Sequence, residues 1–376
     1  MKIGIFIKNY AVGKKFDKSG VPNKSGAEFH AENHAKLLSK YGDDVYVMTK
    51  KTYMFTKGRE KVNGIDVCRL HDPIRWLEVM ARLLTTHKHT DCFYIVGTPK
   101  FAVWAVLMAR WLHKPTTLVL TSKSEIFEKN ANWRLKLLAS CDNYIAISAE
   151  IARGLREKAQ IAEQKIHILP QGVDTVQRFH PAIVTDKVQL RKKYNFPQDK
   201  IIVLFCARVV LNKGIDTMLK AWRLVREKDK DIVLVVVGGG VTTLLDEIKK
   251  AGKELDNSIT VTGEVDRTDD YYKLADLYLF PSRFEGLPTT LMEAIASGLP
   301  CIASKIGGDE DLVNPAQAGI LVNPEDYELF ADTILNLAHD QALRAYYSKN
   351  GREYAVKNLD STVLLEPLRK ILGGKL

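Results

Sequence analysis

Short runs of β-branched residues alternate with longer stretches of helical periodicity along almost the whole chain, in two successive series. Parallel strands must be joined by crossovers long enough to hold a helix, so this alternation points to βα units stacked on parallel sheets. The first series predicts strands over 3–7, 45–48, 65–70, 92–96, 117–120, 143–147 and 166–169, with Ala27, Ala31, Ala35 and Leu38 on one helical face after the first. The second predicts strands over 201–206, 232–237, 259–262, 277–280, 300–303 and 320–322, and helix from Pro324 onward. Between them, 174–193 contains Pro181 and few periodic apolar residues and reads as a linker. The expected architecture is α/β, with two Rossmann-like doubly wound domains facing across a cleft: residues 1–180 and 190–355, with a C-terminal helix in 356–376 packing back towards the first. In such sheets ligands bind just beyond the carboxyl ends of the strands.

A chain of 376 residues can bury large cores without staples. Cys68, Cys92, Cys141, Cys206 and Cys301 are widely spaced and form no C-x-x-C, which supports neither a disulfide framework nor a cysteine zinc site. The opening MKIGIFIK reads as a strand and not as a secretory signal. The most apolar stretch, 101–112, holds Arg110 and falls well short of the roughly 20 residues needed to cross a bilayer, so a buried helix is expected. These features place the protein in the cytoplasm, peripheral on the membrane face at most. Charge is uneven: 29 basic and 17 acidic side chains through residue 183, against 26 and 28 after it. The basic residues are scattered, without a recognition module, which argues against nucleic acid and for an anionic membrane surface or acidic acceptor.

The richest stretch is 277–307, LYLFPSRFEGLPTTLMEAIASGLPCIASKIG. A strand ends at Phe280 and a helix runs from about Thr289 to Ser297, closed by Gly298. Gly286 allows close backbone approach, and first-turn amides offer donors to an anion or a hydroxyl-rich ligand. Glu285 precedes the helix and Glu293 lies one turn inside it; both could accept from sugar or ribose hydroxyls. Equally, Glu285 could be a solvated loop residue and Glu293 a carboxylate favoured by the helix dipole. Directly after 201–206 comes RVVLNKG, in which Arg208 and Lys213 flank a helix start and suit a diphosphate.

The stretch resembles the E-x7-E motif of the retaining glycosyltransferases of family 4 (group 1), over about 30 residues. That resemblance implies the GT-B fold. It also implies transfer of a hexose-type sugar from a nucleotide-diphosphate sugar, UDP ahead of GDP, to a hydroxyl of a saccharide or lipid-linked acceptor. No cofactor and no obligatory metal are implied. Arg208 and Lys213 fall on the donor diphosphate site, Glu293 on the ribose, and Glu285 with the Gly286, Leu287, Pro288 and Thr289 backbone on the sugar. Gly238 resembles the glycine-rich turn of the fold; a nicotinamide fingerprint is incomplete because Thr243 stands where its third Gly belongs. Gly263 and Val265 match the segment that contacts the nucleotide base. Ser25-Gly26-Ala27-Glu28 resembles the loop near diphosphate and acceptor, with Ser25 in place of a Gly. The usual sugar-contacting His after 117–120 is missing, leaving Lys123 or Glu125 as local alternatives. His30 and His34 lack a third zinc ligand, and Asp309-Glu310-Asp311 is a chance D-x-D. A nucleotide-sugar 2-epimerase of the same fold and a non-catalytic carbohydrate-binding module are the competing readings.

Overall fold

In the computed structural model, residues 1–10, 26–50, 58–71, 74–122, 126 and 140–373 are described. Ser25, Lys123 and Glu125 lie outside them. The chain forms two compact units: one runs to Gln171 and takes up the chain again at Ser361, and the other is Gly172–Asp360.

The first unit is built on an eight-stranded sheet: β1 (Lys2–Ile7), β2 (Asp44–Lys50), β3 (Arg59–Val62), β4 (Ile65–Leu70), β5 (Cys92–Val96), β6 (Thr116–Leu120), β7 (Asn143–Ala146) and β8 (Ile166–Ile168). Their order is β3-β4-β2-β1-β5-β6-β7-β8, parallel except for β3. β3 was not foreseen, because REKV carries three charges in four residues. It turns into β4 through Asn63 and Gly64, both at positive φ, the geometry a two-residue hairpin needs. The helix Gly26–Lys40 lays Ala31, Ala35 and Leu38 on the sheet. On the same helix His30 and His34 are buried against Tyr94 of β5, whose hydroxyl lies 3.0 Å from Nε2 of His30 and 2.7 Å from Nδ1 of His34. Burial holds the His30 ring well below the usual imidazole range and lowers His34 to about 4, so these are neutral core histidines.

The stretch 101–112 departs from expectation. Its helix, Ala102–Trp111, buries Ala102, Ala105, Val106, Met108 and Ala109, but turns Trp104, Leu107 and Trp111 to solvent. Among the described residues no helix is long and apolar enough to cross a membrane.

The second unit holds β9 (Ile201–Cys206), β10 (Ile232–Val237), β11 (Ile259–Gly263), β12 (Leu277–Phe280), β13 (Cys301–Ser304) and β14 (Gly319–Val322). Their order, β11-β10-β9-β12-β13-β14, is the doubly wound one, with the reversal of direction between β9 and β12. Helices Ile215–Lys228 and Tyr327–His339 cover one face over a core that includes Phe205, Trp222, Leu234, Leu279 and Phe330. The expected linker is partly structured: Val184–Lys193 is a helix of this unit. Its anchors are charges and not an apolar stripe. Arg191 donates to Asp276 at 2.6 Å and to the Leu274 carbonyl oxygen at 3.0 Å, and Lys187 reaches Asp276 at 2.6 Å. Hydrophobic periodicity could not reveal a helix held in this way.

Candidate active site

The reversal point between β9 and β12 brings two loops together. After β9 the chain makes a short 3-10 turn, Leu211–Lys213, and Gly214 then opens the helix Ile215–Lys228 at φ 69°. A β-carbon there would sit 1.9 Å from the carbonyl oxygen of Pro281, so only glycine lets the loop after β12 pass this close. The loops are then tied by a hydrogen bond from the Arg283 amide to the Asn212 carbonyl oxygen at 2.8 Å, and Ser282 Oγ lies 3.1 Å from the same oxygen. The Arg283 guanidinium forks onto Asp216 with two contacts of 2.7 Å and also bonds the Leu211 carbonyl oxygen and Glu325. The pair with Arg283 outweighs burial and keeps Asp216 below the usual carboxylate range.

This framework places Lys213 and Glu285 in direct contact, and Ser282 Oγ donates to the same carboxylate oxygen at 2.6 Å. The ammonium also lies 5.2 Å from the Phe280 ring centre. Two residues read separately from the sequence, one for a diphosphate and one for a sugar, are thus one ion pair. Arg208 stands at the end of β9, exposed and with no ion-pair partner among the described residues.

Glu293 belongs to a different group. It sits in the second turn of the helix Thr289–Ala296, near Tyr272, Arg178 and Asp269. Burial pushes its carboxyl up to about 7; Tyr272 and Arg178 oppose the rise without cancelling it. Asp269 beneath it is fully buried and forked by Arg267 at 3.0 and 2.7 Å. Leu287 and Pro288 are buried and Gly286 and Thr289 partly so, leading from Glu285 into the helix.

Gly238 follows β10 at φ 140°, with a β-carbon position 2.0 Å from the Ala207 carbonyl oxygen, so this glycine is required by packing of adjacent loops. Its amide donates to the Gly263 carbonyl oxygen at 2.9 Å, which brings the ends of β10 and β11 to the same edge; Val265 is partly buried just beyond. Gly26 begins its helix in the first unit, exposed. Asp309 is buried in the first turn of the helix Gly307–Ala316, and among the described residues no three acidic, Cys or His side chains are grouped to hold a metal. Arg283, Ser282 and Asp216 were not singled out from sequence. The signal was present in Pro281-Ser282-Arg283-Phe284-Glu285, where an arginine sits between a strand end and a carboxylate.

A family model described as glycosyl transferases group 1 matches residues 186–354, and one described as glycosyltransferase family 4 matches residues 24–177. Mannosylfructose-phosphate synthase of Agrobacterium fabrum is 25% identical over 281 residues, covering 70% of this chain and 61% of the relative. A GDP-mannose-dependent monoacylated alpha-(1-6)-phosphatidylinositol monomannoside mannosyltransferase of Corynebacterium glutamicum is 30% identical over 216 residues, covering 55% of this chain and 56% of the relative. Those alignments span only about six tenths of the relatives' length. Among solved structures, Anabaena HepE in complex with UDP has a TM-score of 0.81 at 18% identity, covering 99% of this chain and 100% of that one, a likeness of fold. Two doubly wound parallel-sheet units, each matched by its own glycosyltransferase model, make this chain a member of the group 1, family 4 glycosyltransferases with the GT-B fold.

Proposed function

We propose that the protein transfers a hexose-type sugar from a nucleoside-diphosphate sugar, UDP ahead of GDP, to an acceptor hydroxyl with retention of anomeric configuration. The acceptor is a glycolipid, lipid-linked or polysaccharide precursor at the cytoplasmic face of the membrane. The observation that carries this reading is the Lys213–Glu285 pair at the sheet's reversal point and next to a helix N-terminus, in the loop that begins with Arg208, which has no ion-pair partner among the described residues. With Lys213 already balanced by Glu285, Arg208 supplies the net positive charge for a diphosphate, forking to its oxygens. As the bond from the anomeric carbon to the diphosphate oxygen breaks, Arg208, Lys213 and the first amides of Thr289–Ala296 meet the growing negative charge. The acceptor oxygen bonds to the same carbon and its proton passes to the departing phosphate, so no protein base is needed. Glu285, held by Lys213 and Ser282, has its second oxygen for sugar hydroxyls. Glu293, once ionised, accepts from the ribose hydroxyls.

The names of the relatives support a nucleotide-sugar donor: the Corynebacterium protein is GDP-mannose-dependent and the Anabaena structure holds UDP. The test is a panel of UDP- and GDP-hexoses with a crude lipid acceptor extract, scored by nucleoside diphosphate release, alongside calorimetry with UDP and GDP. Acceptor-dependent release from one donor is expected. Conversion of donor without acceptor identifies an epimerase, binding without turnover a carbohydrate-binding module, and absence of both release and binding removes the enzyme reading.

A further inference from the structure

The first unit carries an apolar surface that its core does not use. On the helix Arg75–Leu84, Trp76, Leu77 and Leu84 face outward; on Ala102–Trp111, Trp104, Leu107 and Trp111 do so at spacings of 3 and 4, one face of that helix. The two helices pack on each other, and the rings of Trp76 and Trp104 lie 5.6 Å apart, joining the two stripes into one patch. Exposures of 40% for Trp76 and Trp104, 49% for Leu107 and 67% for Trp111 are far from those of core residues. Ala102–Trp111 is apolar on both sides, one turned to the sheet and the other to solvent; a helix of that kind ordinarily has a second apolar partner.

The surroundings of the patch say what the partner is. From residue 74 to 114 the chain holds six Lys and Arg against two acidic side chains. Of the two acids, Glu78 is engaged by the His71 amide at 2.9 Å and its ring at 2.8 Å, and Asp91 accepts from the Lys2 amide at 2.7 Å. Tryptophans and leucines with Lys100, Arg110 and Lys114 on and next to the same helix match the boundary between acyl chains and anionic headgroups: indoles settle at that depth while long cationic side chains reach the phosphates. A two-fold contact between copies of this chain would bring the same cations face to face.

We propose that this surface docks the protein on an anionic bilayer, through Trp76, Trp104, Leu107 and Trp111 in the interface and Lys100 and Arg110 on the headgroups. It deepens the reading of a membrane-linked acceptor and rests on it only for its purpose. The full chain, without nucleotide, is mixed with phosphatidylcholine vesicles that contain or lack phosphatidylglycerol, and binding is followed by flotation and tryptophan emission. Binding to the phosphatidylglycerol vesicles with a blue shift, released by salt, is expected. Trp104→Ser with Trp111→Ser weakens binding by about tenfold or more. Lys100→Glu with Arg110→Glu weakens it by at least about 25-fold, at about fivefold per cation. Unchanged melting temperatures establish that the variants fold. No binding at low salt, equal binding by the variants, or a concentration-dependent dimer that the variants abolish overturns the proposal. Because no nucleotide is present, failure here leaves the donor site untouched, and failure of the donor panel leaves this surface standing.

Discussion

Two partly buried carboxylates near opposite ends of β12 titrate in opposite directions. Asp276, just before the strand, is pushed up by burial, but Lys187, Arg191 and the Ile202 amide outweigh that and hold it below the usual carboxylate range. Glu293, in the helix after the strand, is pushed up by burial to about 7, because Tyr272 and Arg178 offset only part of that rise. The first group is complete: two cations and an amide account for one carboxylate. The second edge is incomplete, with a carboxyl that resists ionisation and an exposed Arg208 lacking an acidic partner among the described residues. A doubly wound sheet binds at its carboxyl edge, so the incomplete electrostatics lie where a ligand would complete them.

The comparison can be broken from either side. Asp276→Ala strands Lys187 and Arg191, and should lower unfolding free energy by about 3–5 kcal/mol in denaturant titration, while nucleotide affinity of the remaining folded protein is unchanged. If affinity falls with stability, the two edges are not independent. Arg208→Ala should do the reverse, leaving the denaturation midpoint in place and cutting transfer by about 10²–10³-fold in steady-state kinetics. Glu293→Ala should weaken nucleoside diphosphate binding by about 10- to 100-fold in calorimetry, the loss of hydrogen bonds to a charged acceptor.

The smallest effect is on pH dependence and concerns the proton on Glu293. Its folded pKa of about 7 exceeds the ordinary 4.5, so between those values the native state keeps a proton that the unfolded chain has released. Glu293 therefore makes stability fall as pH rises through that window, and Glu293→Gln should flatten this part of the pH profile. Nucleotide affinity should show the opposite trend, rising across pH 7 as the carboxylate forms; titration of the ligand phosphate is common to wild type and the Gln variant and drops out of their difference.

Both sheets were legible because βα alternation is a local pattern, and strands such as β9, β10 and β12 were bounded correctly by their apolar runs. The helix Val184–Lys193 was not, because its partners are Asp276 and backbone carbonyl groups about 85 residues away or across a turn. β3 was missed although Asn63-Gly64 is a strong hairpin signal; its charged residues suit a sheet edge and mask the strand. At the site, Arg208, Lys213, Glu285 and Glu293 could be singled out by motif; Arg283 had only its place between a strand end and a carboxylate to mark it, since its role is to join Leu211 and Asp216 to the distant Glu325.

By itself the sequence determined the two α/β series, the residues of the E-x7-E stretch and the resemblance to a family, because periodicity and motif spacing are properties of neighbouring residues. Only the tertiary structure decided that Lys213 and Glu285 neutralise each other, that Arg208 has no ion-pair partner among the described residues, and that Glu293 holds its proton near neutrality. It also decided that Trp104 and Trp111 lie outside the core. Each of these depends on burial and on charges brought together from distant segments, and neither quantity exists until the chain has folded.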